Sequence, residues 1–235
     1  MTRKAIKIFA TLFVAAIFSF ITAGCAKNNR KKFTLSFEGV ASIKIKSKAG
    51  TVVYVDPGSA CGDFSEKADI VLVTHSHEEH LPRKDLQRKK DCVEITNKEA
   101  LVDDEFKTFK IKDITIEAVP VEGRCHPAGF GVGYLITFDG ITVFESGDLS
   151  YIKDFSHLTS RSIDYAFYPI DGLWTMTPKK ASEIADIIGA KTNIPYHQYN
   201  DEILNQHKEA SFTPSNGKLV LEPGQTIDLK TGKVY

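Results

Sequence analysis

The chain has 235 residues, 42% of them hydrophobic, with thirty basic and thirty acidic side chains. That length and hydropathy suffice for one substantial core and exclude a disordered polyelectrolyte. Removing residues 1–24, which hold Arg3, Lys4 and Lys7 and no acid, takes three positive charges from a neutral total and leaves −3, which excludes nucleic acid as the main partner.

The N-terminus reads as an export signal. Arg3, Lys4 and Lys7 precede an apolar run over 8–21, and small residues lead to Cys25. The run is shorter than the roughly 20 apolar residues that span a membrane. Thr22-Ala23-Gly24-Cys25 resembles a bacterial lipobox, in which the cysteine becomes the acylated first residue. Lipidation of Cys25 is expected, and at about 0.8 kcal/mol per buried methylene it would anchor the protein to the cell envelope. The alternatives are ordinary cleavage without a lipid, or a retained signal-anchor. Residues 25–32 then form a tether whose Arg30, Lys31 and Lys32 suit anionic headgroups, and 33–235 form one domain. Cys61, Cys92 and Cys125 are an odd number for an exported domain, so at least one thiol is free.

Short alternating segments at 33–37, 40–46 and 51–55, punctuated by Gly39, Gly50 and Pro57-Gly58, predict a strand meander. Residues 69–74 follow, with Ile70-Val71-Leu72-Val73 as the continuous apolar run of a strand buried on both faces. That strand delivers the chain into His75-Ser76-His77-Glu78-Glu79-His80, a loop at its C-terminal end. Pro82 suits the first turn of a short helix reaching Leu86. Further strands are predicted at 107–111, 114–119, 132–138 and 141–144. Thr177 caps and Pro178 opens a helix to about Ile188, with Ala181, Ile184, Ala185 and Ile188 on one face, and a strand at 193–195 closes just before His197. Strand meanders broken by helices, with no internal repeat, predict an α/β fold, a four-layer αββα sandwich.

The segment from His75 to His80 places three imidazoles and a carboxylate within six residues, a pattern expected by chance at under about 1% in a chain of this histidine content. Residues two apart on a loop can turn to a common point. Neutral imidazoles suit Zn²⁺, and carboxylates suit zinc, iron or manganese. His126, Asp148 and His197 each stand at or just beyond a predicted strand end and supply the further ligands of a two-metal site.

The stretch 74–80 resembles the H-x-H-x-D-H motif of the metallo-β-lactamase superfamily. Segments 126–134, 146–148 and 194–197 resemble that family's remaining metal motifs in order. Segment 171–178 resembles one found in the branch that includes ascorbate-6-phosphate lactonase-like hydrolases. The resemblance covers about 33–229. It implies that His75, His77 and His126 hold one divalent metal, and that His80 and His197 hold a second, with Asp148 bridging. Glu79 stands where the family has a metal-binding Asp, and Leu149 where it usually has Thr. The implied activity is hydrolysis of an ester, lactone or phosphodiester-type small molecule by metal-activated water, with Glu79 and Asp148 as catalytic carboxylates. The implied cofactors are two divalent ions, zinc first, with iron or manganese as alternatives. Glu79 leaves a rival open: a non-catalytic metal- or ligand-binding surface lipoprotein with a degenerate second site.

Arg124, Lys153, Trp174 and Tyr196 are read first as ordinary surface or packing residues and second as candidates for substrate contact, by their closeness in sequence to these residues or to the 171–177 loop, the two cations suiting an anionic group. Cys125 is a chemically sound thiolate alternative to His126, though only His126 matches the family's glycine-rich segment. Asp56, before Pro57, is read first as a turn-forming residue and second as support for a ligand histidine.

Overall fold

The computed structural model describes residues 33–123, 126–198 and 208–235. The export signal, Cys25, the tether, Arg124 and Cys125 lie outside the described residues.

Two six-stranded sheets carry the fold. In the first, β1 (Thr34–Gly39), β2 (Ser42–Lys46) and β3 (Val52–Val55) form the antiparallel meander, and β4 (Ala68–Leu72) and β5 (Arg88–Ile95) add parallel to β3. A C-terminal strand, Thr226–Asp228, returns beside β1. The one-turn helix α1 (Asn97–Ala100) and a hairpin of β6 (Leu101–Val102) and β7 (Glu105–Phe106) lead into the second sheet. There β8 (Thr108–Ile111), β9 (Ile114–Pro120), β10 (Val132–Phe138) and β11 (Ile141–Glu145) are antiparallel neighbours. After α2 (Ser156–Thr159), β12 (Tyr165–Pro169) and β13 (Thr192–Tyr196) join parallel to β11, connected through helix α3 (Pro178–Ile188).

One cluster fills the space between the sheets, combining Val53, Val55, Ile70 and Leu72 with Ile116, Ile136, Val143, Phe167 and Ile194. The alternate residues Val52, Tyr54, Val71 and Val73 pack into a separate cluster with Leu86 and Phe64. Strands β3 and β4 therefore bury both faces, which accounts for the apolar run Ile70-Val71-Leu72 in β4 and corrects the alternation expected over 51–55, since Val52, Val53, Tyr54 and Val55 are all buried. On the far side of the second sheet, Phe144, Ala166 and Tyr168 pack against Ala181, Ile184, Ala185 and Ile188 of α3. Thr177 caps that helix by accepting from the Lys180 amide at 3.2 Å, and Gly189 ends it in the left-handed conformation at φ 71°. The αββα plan is thus present with thin outer layers. Over the first sheet, loop residues such as Phe64 and Leu86 do the covering.

One expected element is not formed, and several elements were not expected, two sheet strands of full length among them. Residues 82–86 form turns, because the Arg83 amide donates to Pro57 O at 3.0 Å and the Leu86 amide to Arg83 O at 3.2 Å. Strand β5 is absent from the expected elements, since an edge strand with mostly exposed side chains lacks apolar alternation. Strand β12 is absent from them too, although its burial matches that of β4.

The parallel strands position the polar residues at one edge of the sandwich. Asp56 follows β3, His75 lies just beyond β4, Asp148 beyond β11, Asp171 beyond β12, and His197 directly after β13. The C-terminal ends of both parallel groups thus converge.

Candidate metal centre

Asp56 organises the first sheet's share of the site. Its main chain makes a turn, with Gly58 N donating to Asp56 O at 2.8 Å, and its φ of 45° is the left-handed conformation that non-glycine residues seldom adopt. The buried side chain does more. Oδ1 accepts from the Thr74 amide at 2.8 Å, while Oδ2 accepts from Thr74 Oγ1 at 2.6 Å and from His80 Nδ1 at 2.7 Å. The turn reading of Asp56 holds for its backbone, and the second reading holds for its side chain: this carboxylate orients histidines. Thr74 Oγ1 gives its single proton to Asp56, so it must accept from His75 Nδ1 at 2.9 Å. One carboxylate thereby orients His80 directly and His75 through a hydroxyl, with both Nε2 atoms turned toward Asp148.

The second sheet supplies the other side. Val132 N donates to Thr74 O at 3.0 Å and Tyr134 Oη to Val73 O at 3.0 Å, tying β10 to the strand that presents His75. Gly147, at φ 53°, lets the loop before Asp148 pass so close that a Cβ there would meet Thr74 Cβ at 3.0 Å. The buried Glu145 carboxylate accepts from Gly147 N at 3.0 Å and from Tyr196 Oη, which also donates to Gly147 O at 3.1 Å. Tyr196 is fully buried. Of its two readings, packing residue or substrate contact, burial favours the first, with the side chain supporting the Asp148 loop. His197, in the left-handed conformation at φ 48°, is held by its amide donating to Val40 O at 2.9 Å.

Two groups of donor atoms result. His75, His77, His126 and Asp148 form one, and Glu79, His80, Asp148 and His197 the other, each with atoms within 4.8 Å of one another. In the first, His77 Nδ1 lies 3.2 Å from His75 Nε2 and 3.1 Å from His126 Nε2, and Asp148 Oδ2 lies 3.6 and 3.7 Å from those same Nε2 atoms. In the second, Asp148 Oδ1 lies 3.2 Å from His80 Nε2 and 3.3 Å from His197 Nε2. A tetrahedron of donors about 2.0–2.1 Å from a metal has edges of about 3.3–3.4 Å, so these spacings fit a shared cation. His80 Nε2, His197 Nε2 and Asp148 Oδ1 are buried without a hydrogen-bond partner among the described residues. Buried polar atoms so placed are costly unless something satisfies them. Residues that could hold metal are therefore the seven expected from the sequence, and all seven are brought together.

The electrostatics differ between the groups. Burial, reinforced by the neighbouring His80, pushes His75 down to about 2, and burial likewise lowers His126, so both are neutral donors. Burial also acts to lower His80 and His197. For His80 it is outweighed by Asp56 and Asp148, for His197 by Asp148 and Asp171, and both are raised. Burial acts to raise Asp148, but His197, His80 and His75 overcome it and hold it ionised far below the usual range.

The remaining candidates fall away from the donor set or gain other partners. Lys153 pairs with Glu122 at 2.9 Å, and Leu149 is buried in the cluster beneath α3. Cys61 and Cys92 are free thiols. Trp174 sits exposed on the 171–177 loop. Asp171, read from the sequence only as part of that loop, places Oδ2 3.4 Å from His197 Nδ1. Phe130, also unanticipated, sets its ring 5.3–6.0 Å from those of His75, His77 and His126. Asp171 could have been found by its position: like Asp56 and Asp148, it follows a buried parallel strand.

A two-sheet αββα sandwich with these donors at one edge defines the metallo-β-lactamase class of fold. The family model for the β-lactamase superfamily domain matches residues 34–197, and the chain belongs to that family. It is 28% identical over 233 residues to a UPF0173 metal-dependent hydrolase of Geobacillus thermodenitrificans, covering 83% of this chain and 99% of the relative. A metal-dependent hydrolase structure from Parabacteroides distasonis is similar at TM-score 0.65 and 28% identity, over 81% of this chain and 93% of that one. Igni18, a metallo hydrolase from Ignicoccus hospitalis, shares the fold at TM-score 0.61 and 19% identity, over 83% and 97% of the two chains.

Proposed function

We propose that this metal-dependent hydrolase of the metallo-β-lactamase fold holds two divalent ions and cleaves an ester, lactone or phosphodiester-type bond in a small molecule. The observation that carries the proposal is the pair of donor groups sharing Asp148, with Oδ2 facing His75 and His126 and Oδ1 facing His80 and His197. His75, His77 and His126 would hold the first ion and His80, His197 and Glu79 the second, with Asp148 facing both groups. The mix of imidazole and carboxylate favours zinc, and also suits iron or manganese. Such ions, when bound, supply activation of water near neutral pH and polarisation of the scissile oxygen. The protein's own contribution is orientation. Asp56 and Thr74 fix His75 and His80, Asp171 lies beside the His197 ring, and Glu145 with Tyr196 fixes the Asp148 loop. Glu79, the exposed member of the set, would accept a proton from the attacking water.

Export and a lipid anchor at Cys25 belong to the same proposal, on the sequence pattern alone. An acylated N-terminal Cys25 in mass spectrometry supports them, and an unmodified Cys25 or intact signal overturns them. For the activity, the test is elemental analysis of the purified protein beside hydrolysis of an ester, lactone and phosphodiester panel. The expected result is up to two ions per chain, with turnover abolished by chelation and restored by zinc. A protein that keeps metal and hydrolyses nothing overturns the proposal in favour of a binding lipoprotein.

A further inference from the structure

Resting on that hydrolase reading, we infer that Leu173 and Trp174, with Phe130 across the donor set, form a subsite for an uncharged apolar group of the substrate beside the scissile bond.

Leu173 and Trp174 are 50% and 54% exposed, adjacent large apolar side chains at the tip of one loop. The loop itself is rigidly made. Asp171 Oδ1 accepts from the amides of Leu173 and Trp174 at 2.7 Å each and of Thr175 at 3.3 Å, and Thr175 Oγ1 closes onto Oδ2. Gly172, at φ 73°, makes the bend, and its amide donates to Met176 O at 2.9 Å. The same Oδ2 lies 3.4 Å from His197 Nδ1. A single carboxylate thus fixes the apolar tip and faces the back of a donor histidine, so the tip has a set position relative to the donors.

Singly scattered surface apolar residues need no explanation, but a paired, pre-ordered aromatic and aliphatic tip beside a reactive centre presents binding area at low entropic cost. On the opposite flank, Phe130 lines the first donor group with a half-buried ring 5.4 Å from that of His77 and 5.3 Å from that of His126. Among the described residues, Lys153 pairs with Glu122 at 2.9 Å and Lys208 donates to Asp171 O. The apolar walls fit an acyl or aryl ester or lactone better than a phosphodiester.

The test uses zinc-loaded protein and two probes, acetohydroxamate and hexanohydroxamate, which share a metal-binding head and differ in tail length. Trp174 is the chain's single tryptophan, so its emission reports on the tip alone. With each fully buried methylene worth about fourfold, a tail lying on this partly open surface should make hexanohydroxamate bind at least about tenfold tighter by calorimetry. Tryptophan emission should shift to the blue with the longer probe only. Trp174→Ala, with zinc content checked by elemental analysis, should bring the affinity ratio to within about twofold of one, and Trp174→Phe should restore most of it. Equal binding of the two probes, or an unchanged ratio in Trp174→Ala, overturns the inference alone. If neither probe binds the zinc-loaded protein, the inference falls together with the metal-centre reading.

Discussion

The two donor groups share Asp148 yet are built on opposite electrostatic plans. Around His77, burial keeps His75 and His126 neutral, their lone pairs ready for a cation. Around Glu79, burial acts to lower His80 and His197, but Asp56 and Asp148 for the one and Asp148 and Asp171 for the other raise both. The first group thus offers neutral imidazoles to a cation, whereas the carboxylates behind the second favour the charged imidazoles that a cation would compete with. The second group also has an exposed member, Glu79, while every donor of the first is buried or half-buried. The lesson is that similar ligand lists do not make similar sites: the partners behind each histidine set what it offers.

Asp148→Ala strikes at what the groups share and should have the largest effect. Metal affinity should drop by more than about 100-fold at both sites, with activity lost, as read by elemental analysis after dialysis. An intact first site in this variant would show that Asp148 does not bridge. Asp56→Ala should come next, weakening metal binding by about 10- to 100-fold at both groups through His75 and His80. It also leaves Thr74 N and His80 Nδ1 buried without their acceptor, so thermal unfolding should show a loss of about 1–3 kcal/mol. Asp171→Asn should discriminate between the groups. Only the second metal should weaken, by about tenfold, because its carboxylate faces His197 alone among the donors. Equal weakening of both sites would mean that the two groups lack separate support.

The smallest effect is expected at Glu79. Its extra methylene relative to aspartate preserves charge while relaxing geometry in a shell where about 0.5 Å matters. Zinc titration should find Glu79→Asp binding the second ion a few-fold tighter and Glu79→Gln a few-fold weaker, with hydrolysis following occupancy. Equal second-site affinity in all three proteins would show that Glu79 is not a ligand.

Much of the site was legible because its signals are local. The run Ile70-Val71-Leu72-Val73 announces a strand buried on both faces, and the histidines come within a few residues of it, so both their nature and their place at a strand end can be read. Thr177-Pro178 marks the start of α3 equally well. What stayed hidden depends on partners distant in sequence. Asp56 before Pro57 is a turn former by every local criterion, and only the arrival of Thr74 and His80 reveals its side chain as an orienting group. Tyr196 stands beside a ligand in sequence but points its hydroxyl at Glu145 and Gly147 O, while the chain turns at His197, with φ 48°. Pro82 offered a helix start, yet the Arg83 amide found Pro57 O first. The seven donors could be named from sequence, whereas their two unlike environments could not.

The order in which the donors occur along the chain has a consequence for synthesis. Asp56, Thr74, His75, His77, His126 and Asp148 all precede β12, so a chain elongated only to α2 already contains the first donor group with its orienting residues. The second waits for β13, because His197 follows Tyr196. A chain emerging from the ribosome therefore carries every residue of one cation trap before the other is complete. Pairing of β13 with β12 then brings His197 beside the other donors.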